Sequence, residues 1–423
     1  MLQANKLLAD HLIQTKLRPA PPEHGSVCAV AILVAATDLE KVQRLLNEHQ
    51  ISVTGIYENK RTKLDHLVAQ LKGELVTDEF LNIVKQIEAG ADLNATEIIY
   101  LLKTKHAKEI DILYSIADRM RKEIIGDVVD IRGAIEFSNV CAKDCTYCGI
   151  RKNLPTLDRY RMTEDEIMEI VYELHELGLQ TVILQSGEDA WWTVDKINAL
   201  IKRIKVETGM NITLSVGVQT YEAYASFKEA GANNYLLKVE TTDPEIFKAV
   251  HPDDDLDHRI QCAKWLQELG YLNGSGMIIG LPGQTEEMLA NDILYFKEMG
   301  INMIGIGPFV PAKGTPFQDL PPGDVEMTLK AVAITRIVCK RVFLPATTAL
   351  ATLDPEGQEK ALTVGANTIM LINTPKKYRE SYQIYSSKLA VDIESAIDVV
   401  KAVGRKLPSY LKIGVDADGN ESR

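Results

Sequence analysis

Three cysteines lie within eight residues of one another, Cys141, Cys145 and Cys148, in the stretch EFSNVCAKDCTYCGIRKN. Because cysteine thiolates are the usual ligands of iron–sulfur clusters, this Cys-x3-Cys-x2-Cys pattern can bind three irons of a [4Fe–4S] cube. No fourth cysteine or histidine follows at close spacing, so the fourth iron would lack a protein ligand. An iron that is open to a small molecule indicates catalysis rather than simple electron transfer.

A zinc site and a disulfide fit these cysteines less well. A structural zinc site needs four ligands, and the fourth is missing locally. A disulfide is disfavoured because the local count is odd and the chain has the character of an intracellular protein. The spacing, with Tyr147 directly before the last cysteine, resembles the radical S-adenosylmethionine (SAM) superfamily. The remaining cysteines, Cys28, Cys262 and Cys339, are isolated, and each is expected to be a small buried apolar residue.

Composition narrows the class of protein. The 423 residues carry a net charge of −12, which disfavours a nucleic-acid-binding protein because such proteins usually present a basic face. No run of 18 apolar residues is present, so no membrane span is expected. The first residues lack the pattern of a secretory signal. The expected location is the cytoplasm at low oxygen, since a cluster with an exposed iron is easily oxidised.

From Asp130 onward, strand and helix patterns alternate. Eight short apolar segments read as strands, namely 130–137, 181–187, 211–217, 234–241, 273–281, 302–309, 343–349 and 367–373. Strands that are apolar on both faces, with helices between them, are typical of a buried parallel sheet. The pattern predicts an α/β fold, a (β/α)8 TIM-type barrel over 130–375, with a doubly wound open sheet as the alternative.

The rest of the chain flanks this barrel. Residues 79–129 read as helices that cover its base, and 376–423 as a C-terminal helical cap with a helix near IESAIDVVKAVGRKL. Residues 1–78 form an N-terminal extension in which VCAVAILVA, DLEKVQRLLNEH and ISVTGIYE read as strand, helix and strand. This βαβ-like unit is either a small ACT-like or ferredoxin-like appendage or an extension without activity that packs on the barrel.

Polar residues and glycines recur directly after the predicted strands. Because the active sites of such barrels lie at the carboxyl ends of the strands, these residues are expected to converge on one mouth with the cysteine loop. The candidates are Gln185, Ser186, Gly187, Glu188, Ser215, Lys238, Glu240, Gly305, Gly307, Thr347 and Thr348, with Arg259 on a following helix. Taken singly, each has an ordinary structural role as a turn glycine, a surface ion pair or a β-former.

These residue types suit SAM, which combines an amino acid, a sulfonium and an adenosine. Gly187 lets the backbone approach a ligand closely, and a carboxylate such as Glu188 can accept bonds from an ammonium group. Glu240 can accept bonds from ribose hydroxyls, and Arg259 can form a bidentate pair with a carboxylate. The turn at Gly305 and Gly307 is able to pack on adenine.

The chain resembles the HydE family of [FeFe]-hydrogenase maturases. The resemblance rests on IRGAIEFSNVCAKDCTYCGIR, RYRMTEDEI, LQSGED, NYLLKVET, GLPGQT, GIGPFVPAKGTPF, LPATTA and GANTIM, in order from about residue 80 to 385. That family is similar in turn to biotin synthase and to methylornithine synthase PylB. The resemblance implies a (β/α)8 barrel with one SAM-ligated [4Fe–4S] cluster that generates a 5′-deoxyadenosyl radical.

The resemblance also implies roles and partners. The three cysteines would bind the cluster, and a SAM site would include Tyr147, Gln185, Ser186, Gly187, Glu188, Ser215, Glu240, Arg259, Gly305 and Gly307. Lys238, Thr347, Thr348 and Tyr382 would line the substrate end of the cavity. The implied substrate is a cysteine-bound iron carbonyl–cyanide complex made by HydG, and the product goes on toward HydF. A ferredoxin or flavodoxin would supply electrons.

Three departures from the HydE pattern leave open a paralogue that acts on another substrate. Val218 stands where Glu is expected, Lys238-Val239 replaces Arg-His, and GANTIM continues as Leu371-Ile372-Asn373. The two valines predict a less charged cavity than in HydE. A non-catalytic iron–sulfur protein is a separate alternative, which the intact positions Gly187, Glu188 and Arg259 disfavour. No cysteine follows Cys339, so no second cluster is expected.

Overall fold

The computed structural model describes residues 2–19, 30–53 and 76–412. The chain divides into two compact units, Met1–Ala91 and Asp92–Arg423. Most of the predicted strand ISVTGIYE lies outside the described residues, as do Cys28 and the end of the C-terminal cap.

The first unit is a small α/β structure. Its elements are α1 (Leu2–Asp10), β1 (Lys16–Pro19), β2 (Val30–Leu33), α2 (Leu39–Glu48) and α3 (Asp78–Ala89). β1 and β2 pair antiparallel. Leu8 of α1 packs with Leu45 and Leu46 of α2 in an apolar cluster. The predicted strand VCAVAILVA and helix DLEKVQRLLNEH correspond to β2 and α2.

The second unit alternates strands and helices. Its elements are α4 (Ala95–Lys103), α5 (Ala107–Ile124), β3 (Asp130–Ser138), α6 (Glu164–Glu176), β4 (Thr181–Ser186), α7 (Val194–Thr208), β5 (Asn211–Ser215), α8 (Tyr221–Ala230), β6 (Asn234–Leu236), α9 (Pro244–Val250), α10 (Leu256–Glu268), β7 (Leu272–Ile279), α11 (Glu286–Glu298), β8 (Met303–Pro308), α12 (Val325–Cys339), α13 (Thr348–Leu353), α14 (Gly357–Thr363), β9 (Thr368–Ile372), α15 (Lys376–Arg379) and α16 (Ile393–Ala402). Within the described residues, no helix is long and apolar enough to span a membrane.

Seven of these strands form one parallel sheet in the order β8-β7-β6-β5-β4-β3-β9. The segment Phe343–Pro345 lies between the two edge strands, with Phe343 bridged to Met303 of β8 and Pro345 bridged to Thr368 of β9. Because Pro345 has no N–H, this segment cannot form a full ladder. It closes the ring as the seventh of the eight predicted strands, and the predicted barrel class is confirmed.

Two predicted strands differ most from the structure at their ends. The strand predicted over 234–241 is regular only to Leu236, because the N–H of Val239 donates to the Ser275 hydroxyl at 3.2 Å instead of to a backbone carbonyl. Glu240 then takes a φ of +66°, which ends the extended conformation. The strand predicted over 343–349 is wrong at its end, since α13 begins at Thr348.

The helix boundaries follow from local capping. The predicted capping box is present at the start of α6, where the Thr163 hydroxyl accepts the Glu166 N–H at 3.2 Å and the Glu166 carboxylate accepts the Thr163 N–H at 2.8 Å. Asp243 caps α9, and Pro244 occupies its first turn. These caps fix where each helix leaves the strand end before it.

The barrel interior changes character along its axis. Ala134, Ile183 and Ile372 form an apolar cluster in the middle of the barrel. Two residues farther along β3, Glu136 lies opposite Gln185, and Gln185 lies opposite Ser215. Since side chains alternate along a strand, these polar groups share the inward face with the apolar cluster. The carboxyl end of this barrel is therefore polar, whereas barrel interiors are usually filled by branched apolar side chains.

The segment after α15 crosses the same end of the barrel, and we call residues 381–391 the C-terminal strap. The N–H of Gly149 in the cysteine loop donates to the carbonyl of Ile384 at 2.9 Å, and the N–H of Ser386 donates to Pro311 at 3.1 Å. The N–H of Ile372 donates to Val391 at 2.8 Å. The strap thus joins the cysteine loop to the loop after β8 and returns to β9.

Candidate active site

The cysteine loop follows β3 and is tied to two neighbouring elements. The N–H of Gly187 donates to Ser138 at 3.0 Å, and the N–H of Ala142 donates to Glu188 at 2.9 Å, which holds the loop against the end of β4. On its other side, the N–H of Thr146 donates to the Val250 carbonyl at the end of α9, at 3.0 Å. The loop therefore lies at the barrel mouth, as predicted.

Gly187 is required by this close approach. A Cβ at Gly187 would overlap the Val140 carbonyl oxygen and would lie 2.7 Å from the Cβ of Cys141. A Cβ at Gly149 would overlap the Gln383 carbonyl of the strap. A side chain at Gly187 would therefore displace Cys141, and one at Gly149 would push the cysteine loop and the strap apart.

The Arg159 side chain forms hydrogen bonds with both ends of the cysteine loop. Its Nη1 donates to the Asn139 carbonyl at 2.6 Å and to the Ile150 carbonyl at 2.8 Å, on opposite sides of the three cysteines. The Asn139 amide in turn donates to the carbonyls of Asp158 at 2.8 Å and Ser381 at 2.7 Å. Arg159 was not among the residues predicted from the sequence, although it belongs to the RYRM motif.

The sulfurs lie where a metal is needed to stabilise their anionic form. The Sγ of Cys141 accepts the N–H groups of Lys143 and Glu188, each at 3.4 Å. Burial raises the pKa of the Cys148 thiol to about 12, and burial followed by the neighbouring thiols raises the pKa of Cys145 further. Isolated thiolates are unfavourable in such surroundings, but coordination of a positive metal would deprotonate the thiols outright.

The described side chains include no group of three His, Cys, Asp or Glu residues close enough to hold a single metal ion. The three sulfurs therefore do not form a compact site for one metal ion in the part of the chain that the structure describes. In a [4Fe–4S] cube each cysteine binds a different iron, so its ligands are spaced more widely. The donor set and its amide hydrogen bonds therefore fit the cube.

Glu188 bridges the cysteine loop to the end of β5. Its Oε1 accepts the N–H of Val218 at 3.1 Å, and its Oε2 is 4.0 Å from the Nζ of Lys143. A Cβ at Gly217, whose φ is +79°, would overlap the Glu188 side chain. Burial raises the pKa of Glu188, although the Val218 amide and Lys143 oppose this.

Glu240 approaches the cysteine loop from the end of β6. Its Oε1 accepts the Tyr147 hydroxyl at 3.5 Å, and its Oε2 pairs with the Nζ of Lys238 at 2.9 Å. Lys238 lies over two glycines, since a Cβ at Gly276 would be 2.5 Å and one at Gly305 3.6 Å from the Cε of Lys238. The glycines of β7 and β8 therefore leave room for this side chain.

Arg259 is buried between these groups. Its Nη1 donates to the Lys238 carbonyl at 2.8 Å, and its Nη2 pairs with Asp254. Asp254 also lies 3.5 Å from the Nζ of Lys143 in the cysteine loop. The Nε of Arg259 has no hydrogen-bond partner among the described residues. The guanidinium is therefore oriented by Asp254 and keeps one donor free for a ligand.

A second charged pair lies deeper in the barrel. Glu136 forms an ion pair with Lys388 of the strap, and the two side chains are 1% and 5% exposed. Thr374 donates to the other Glu136 oxygen at 3.1 Å. The ammonium of Lys388 lies 5.1 Å from the ring centre of Tyr382, which is buried. Tyr382 was among the predicted site residues, whereas the charged pair beside it was not.

The cavity wall is charged, and a lower charge than in HydE stays a prediction. The wall contains Glu136, Lys238, Glu240 and Lys388, which supply both signs of charge. Val239 adjoins Ser275, which alternation places on the opposite face of β7 from Gly276. Val218 lines an outer groove of about 420 Å³ with Tyr221, His258 and Trp265.

The remaining candidates have local partners. The Thr347 hydroxyl donates to the Ile306 carbonyl at 3.3 Å and lies beside Gly307. The Thr348 hydroxyl bonds to that of Tyr385 at 2.6 Å. The Ser186 hydroxyl donates to the Gly187 carbonyl at 2.7 Å. Gln185 interacts with the Tyr382 hydroxyl and so faces the cavity. The structure thus brings the candidates from β3, β4, β5, β6 and β8 to one mouth.

Comparison with known proteins agrees with this geometry. Residues 135–296 match the Radical SAM superfamily, and residues 1–58 match the family described as putative Se/S carrier protein-like. The [FeFe] hydrogenase maturase subunit HydE of Thermotoga maritima is 43% identical over 302 residues, covering 70% of this chain and 86% of the relative. The 3-methylornithine synthase of Methanosarcina barkeri is 27% identical over 342 residues, covering 79% of this chain and 95% of the relative.

Solved structures share the fold. The crystal structure of methylornithine synthase (PylB) superimposes with a TM-score of 0.71 at 23% identity, covering 77% of this chain and 97% of that one. The maturase HydG superimposes with a TM-score of 0.69 at 19% identity, covering 84% and 82%. The superfamily implies SAM and a [4Fe–4S] cluster as cofactors. The chain therefore belongs to the radical SAM enzymes, within the family of the [FeFe] hydrogenase maturase subunit HydE.

Proposed function

We propose that this enzyme is a HydE-type maturase that acts on a cysteine-ligated iron carbonyl–cyanide complex during assembly of the hydrogenase H-cluster. The 43% identity to HydE, over 86% of that protein, is the observation that carries the proposal. The mouth geometry supports it, since the cysteine loop, Glu188, Glu240 and Arg259 adjoin one another there. HydG- and HydF-type proteins would be its partners, and a ferredoxin or flavodoxin its electron donor.

In this proposal Cys141, Cys145 and Cys148 hold one [4Fe–4S] cluster, and no second cluster is present. When bound, the reduced cluster supplies the electron that cleaves SAM and yields the 5′-deoxyadenosyl radical. Arg159 and Gly187 keep the three sulfurs in place. The strap is bonded to the cysteine loop through the N–H of Gly149, which donates to the Ile384 carbonyl.

Different residues around the cysteine loop are proposed to recognise different parts of SAM. Arg259 has a free Nε donor and an orientation fixed by Asp254, which suits a carboxylate. Glu240 is held by Tyr147 and Lys238 at the next strand end and suits ribose hydroxyls. Glu188, Ser215 and Gly187 line the side next to Cys141, and Gly305 and Gly307 leave room for adenine.

The substrate would lie deeper, between the SAM site and the apolar cluster in the middle of the barrel. Lys238 offers an ammonium to an anionic group such as a carboxylate or cyanide, and Thr347, Thr348 and Tyr382 offer hydroxyls. The charged pair Glu136–Lys388 adds both signs of charge to the same wall. A cavity of this kind suits a small substrate that carries both an amino-acid part and anionic groups.

The N-terminal unit is proposed to be a separate module rather than part of the catalytic barrel. Its division from the barrel and its match to putative Se/S carrier-like proteins support this view. Removal of residues 1–75 is expected to leave cluster content and SAM cleavage unchanged. A truncated protein that folds but no longer cleaves SAM would contradict a separate role.

Anaerobic turnover tests the proposed substrate. The reconstituted protein is reduced with dithionite and incubated with SAM and the synthetic cysteine-bound iron dicarbonyl cyanide complex, and the products are analysed by EPR and mass spectrometry. A species with adenosylated sulfur derived from the complex is expected. Formation of 5′-deoxyadenosine without any reaction of the complex would contradict the proposed substrate. It would favour another substrate, such as the amino acid of a PylB-like rearrangement.

A further inference from the structure

His251 lies directly against one of the proposed cluster ligands. Its Nδ1 is 3.2 Å from the Sγ of Cys145, and the residue is 2% exposed. The ring packs edge-to-face on Tyr147, with centres 5.6 Å apart, and against Phe247 at 4.8 Å. The two aromatic rings fix the imidazole in one orientation, so Nδ1 faces the sulfur.

The backbone also fixes the distance between His251 and Cys145. The N–H of His251 donates to the Phe247 carbonyl at 2.8 Å, which extends the last turn of α9. The next residue of the cysteine loop, Thr146, donates its N–H to Val250 at 3.0 Å and its hydroxyl to Ala249 at 3.1 Å. Cys145 and His251 therefore each adjoin a residue of the bonded pair Thr146 and Val250, which restricts the distance between them.

The two ring nitrogens have different surroundings. Nε2 is buried and has no hydrogen-bond partner in the part of the chain that the structure describes. A sulfur bound to iron carries no proton and can only accept a hydrogen bond. A proton on Nε2 would leave that N–H unbonded and would turn a lone pair of Nδ1 toward the sulfur. The ring proton is therefore assigned to Nδ1 in the protein that holds a cluster.

We propose that His251 donates a hydrogen bond from Nδ1 to the Cys145 sulfur and thereby raises the reduction potential of the cluster. The inference rests on the proposed role of Cys145 as a ligand. Hydrogen bonds to the sulfurs set the potential of an iron–sulfur cluster, because they stabilise the more negative reduced state. His251 is thus a positioning residue that acts through the ligand and eases the electron transfer on which SAM cleavage depends.

The side-chain series at position 251 separates the hydrogen bond from packing. His251→Phe keeps an aromatic ring between Tyr147 and Phe247 but removes the donor. His251→Asn places an amide near the position of Nδ1, whereas His251→Gln places it near that of Nε2. His175→Phe, at an exposed position near the end of α6, is the control.

The test is an EPR-monitored redox titration of the reconstituted proteins in the absence of SAM. His251→Phe and His251→Gln are expected to lower the equilibrium constant for one-electron reduction about tenfold, which corresponds to about 59 mV. His251→Asn is expected to recover most of this loss, and the control is expected to match the wild type. Equal potentials in the wild type and His251→Phe would overturn the inference.

A measurement on the unaltered protein tests the same hydrogen bond without depending on whether the variants fold. Protein labelled with ¹⁵N-histidine is expected to show a weak ¹⁵N hyperfine coupling in the pulsed EPR spectrum of the reduced cluster. A cluster that forms without this coupling would refute the role of His251 alone. A protein that binds no [4Fe–4S] cluster would instead refute the proposed function.

Discussion

Replacement of Asp292 by Asn is expected to stabilise the protein increasingly as the pH rises. Asp292 is fully buried on α11, where its Oδ1 accepts both the N–H and the hydroxyl of Thr242 at 2.6 Å. Its Oδ2 has no partner among the described residues. Burial raises the pKa of this carboxyl to about 7 from 3.8, and the Thr242 donors oppose the shift only partly.

The size of the effect follows from the thermodynamic linkage between protonation of Asp292 and folding. Between 3.8 and about 7 the native state binds a proton that the unfolded state has lost, so stability falls as the pH rises through this window. At about 1.4 kcal/mol per pKa unit, the full penalty above the folded-state pKa is about 4 kcal/mol. The protonated carboxyl of Asp292 and the amide of an asparagine are alike in shape, so Asp292→Asn is expected to be nearly neutral at low pH.

Denaturant unfolding of the wild type and Asp292→Asn, measured anaerobically from pH 5 to 9, checks this prediction. The stability difference is expected to widen by roughly 2–3 kcal/mol between pH 5 and 8 and then to level off. Asp319→Asn, at an exposed position, is the control. A difference that stays constant with pH would refute the reasoning, because it would show that Asp292 is charged throughout or that its charge is not penalised.

Three further predictions concern the site. Gly187→Ala is expected to lower the iron content several-fold after reconstitution, because the new Cβ would lie 2.7 Å from that of Cys141. Gly305→Ala, whose new Cβ has its nearest contact at 3.6 Å, is the control and should retain iron. Iron analysis of the two variants checks this prediction. Arg259→Lys should weaken SAM binding tenfold or more in equilibrium dialysis, because Lys lacks the planar fork that bonds Lys238 and Asp254 together. Lys388→Met should cost about 3–5 kcal/mol of stability by leaving Glu136 unpaired, and the added change Glu136→Gln should restore much of it; denaturation of the single and double variants measures both.

The local signals in the sequence were sufficient to predict the barrel fold and the position of the cysteine loop. Strand and helix alternation predicted the order of elements, and the rule that barrel sites lie at strand ends placed Glu188 and Glu240 at the mouth from the sequence alone. The end of β6 was not predictable in this way. Whether the N–H of Val239 bonds to a carbonyl or to the Ser275 hydroxyl depends on a neighbouring strand, and so does the positive φ of Glu240 that follows it in the chain.

Contacts between segments that are distant in the chain also could not be predicted from the sequence. Lys388 pairs with Glu136 from 252 positions away, because the strap folds back over the barrel mouth. Asp254 lies in the run Asp253–Asp255, which reads as a solvated charge cluster, yet it is buried against Arg259 and Lys143. Such pairings depend on loop paths, which neither periodicity nor spacing encodes.

We infer that the loop holding Cys141, Cys145 and Cys148 binds the cluster that cleaves SAM. The yield of 5′-deoxyadenosine per protein after dithionite reduction with SAM tests this for the wild type, Cys148→Ser and Cys339→Ser. We predict that Cys148→Ser loses both the cluster EPR signal and the product, while Cys339→Ser keeps both. Full product formation by Cys148→Ser, or none by a wild type that carries the cluster, would contradict the claim.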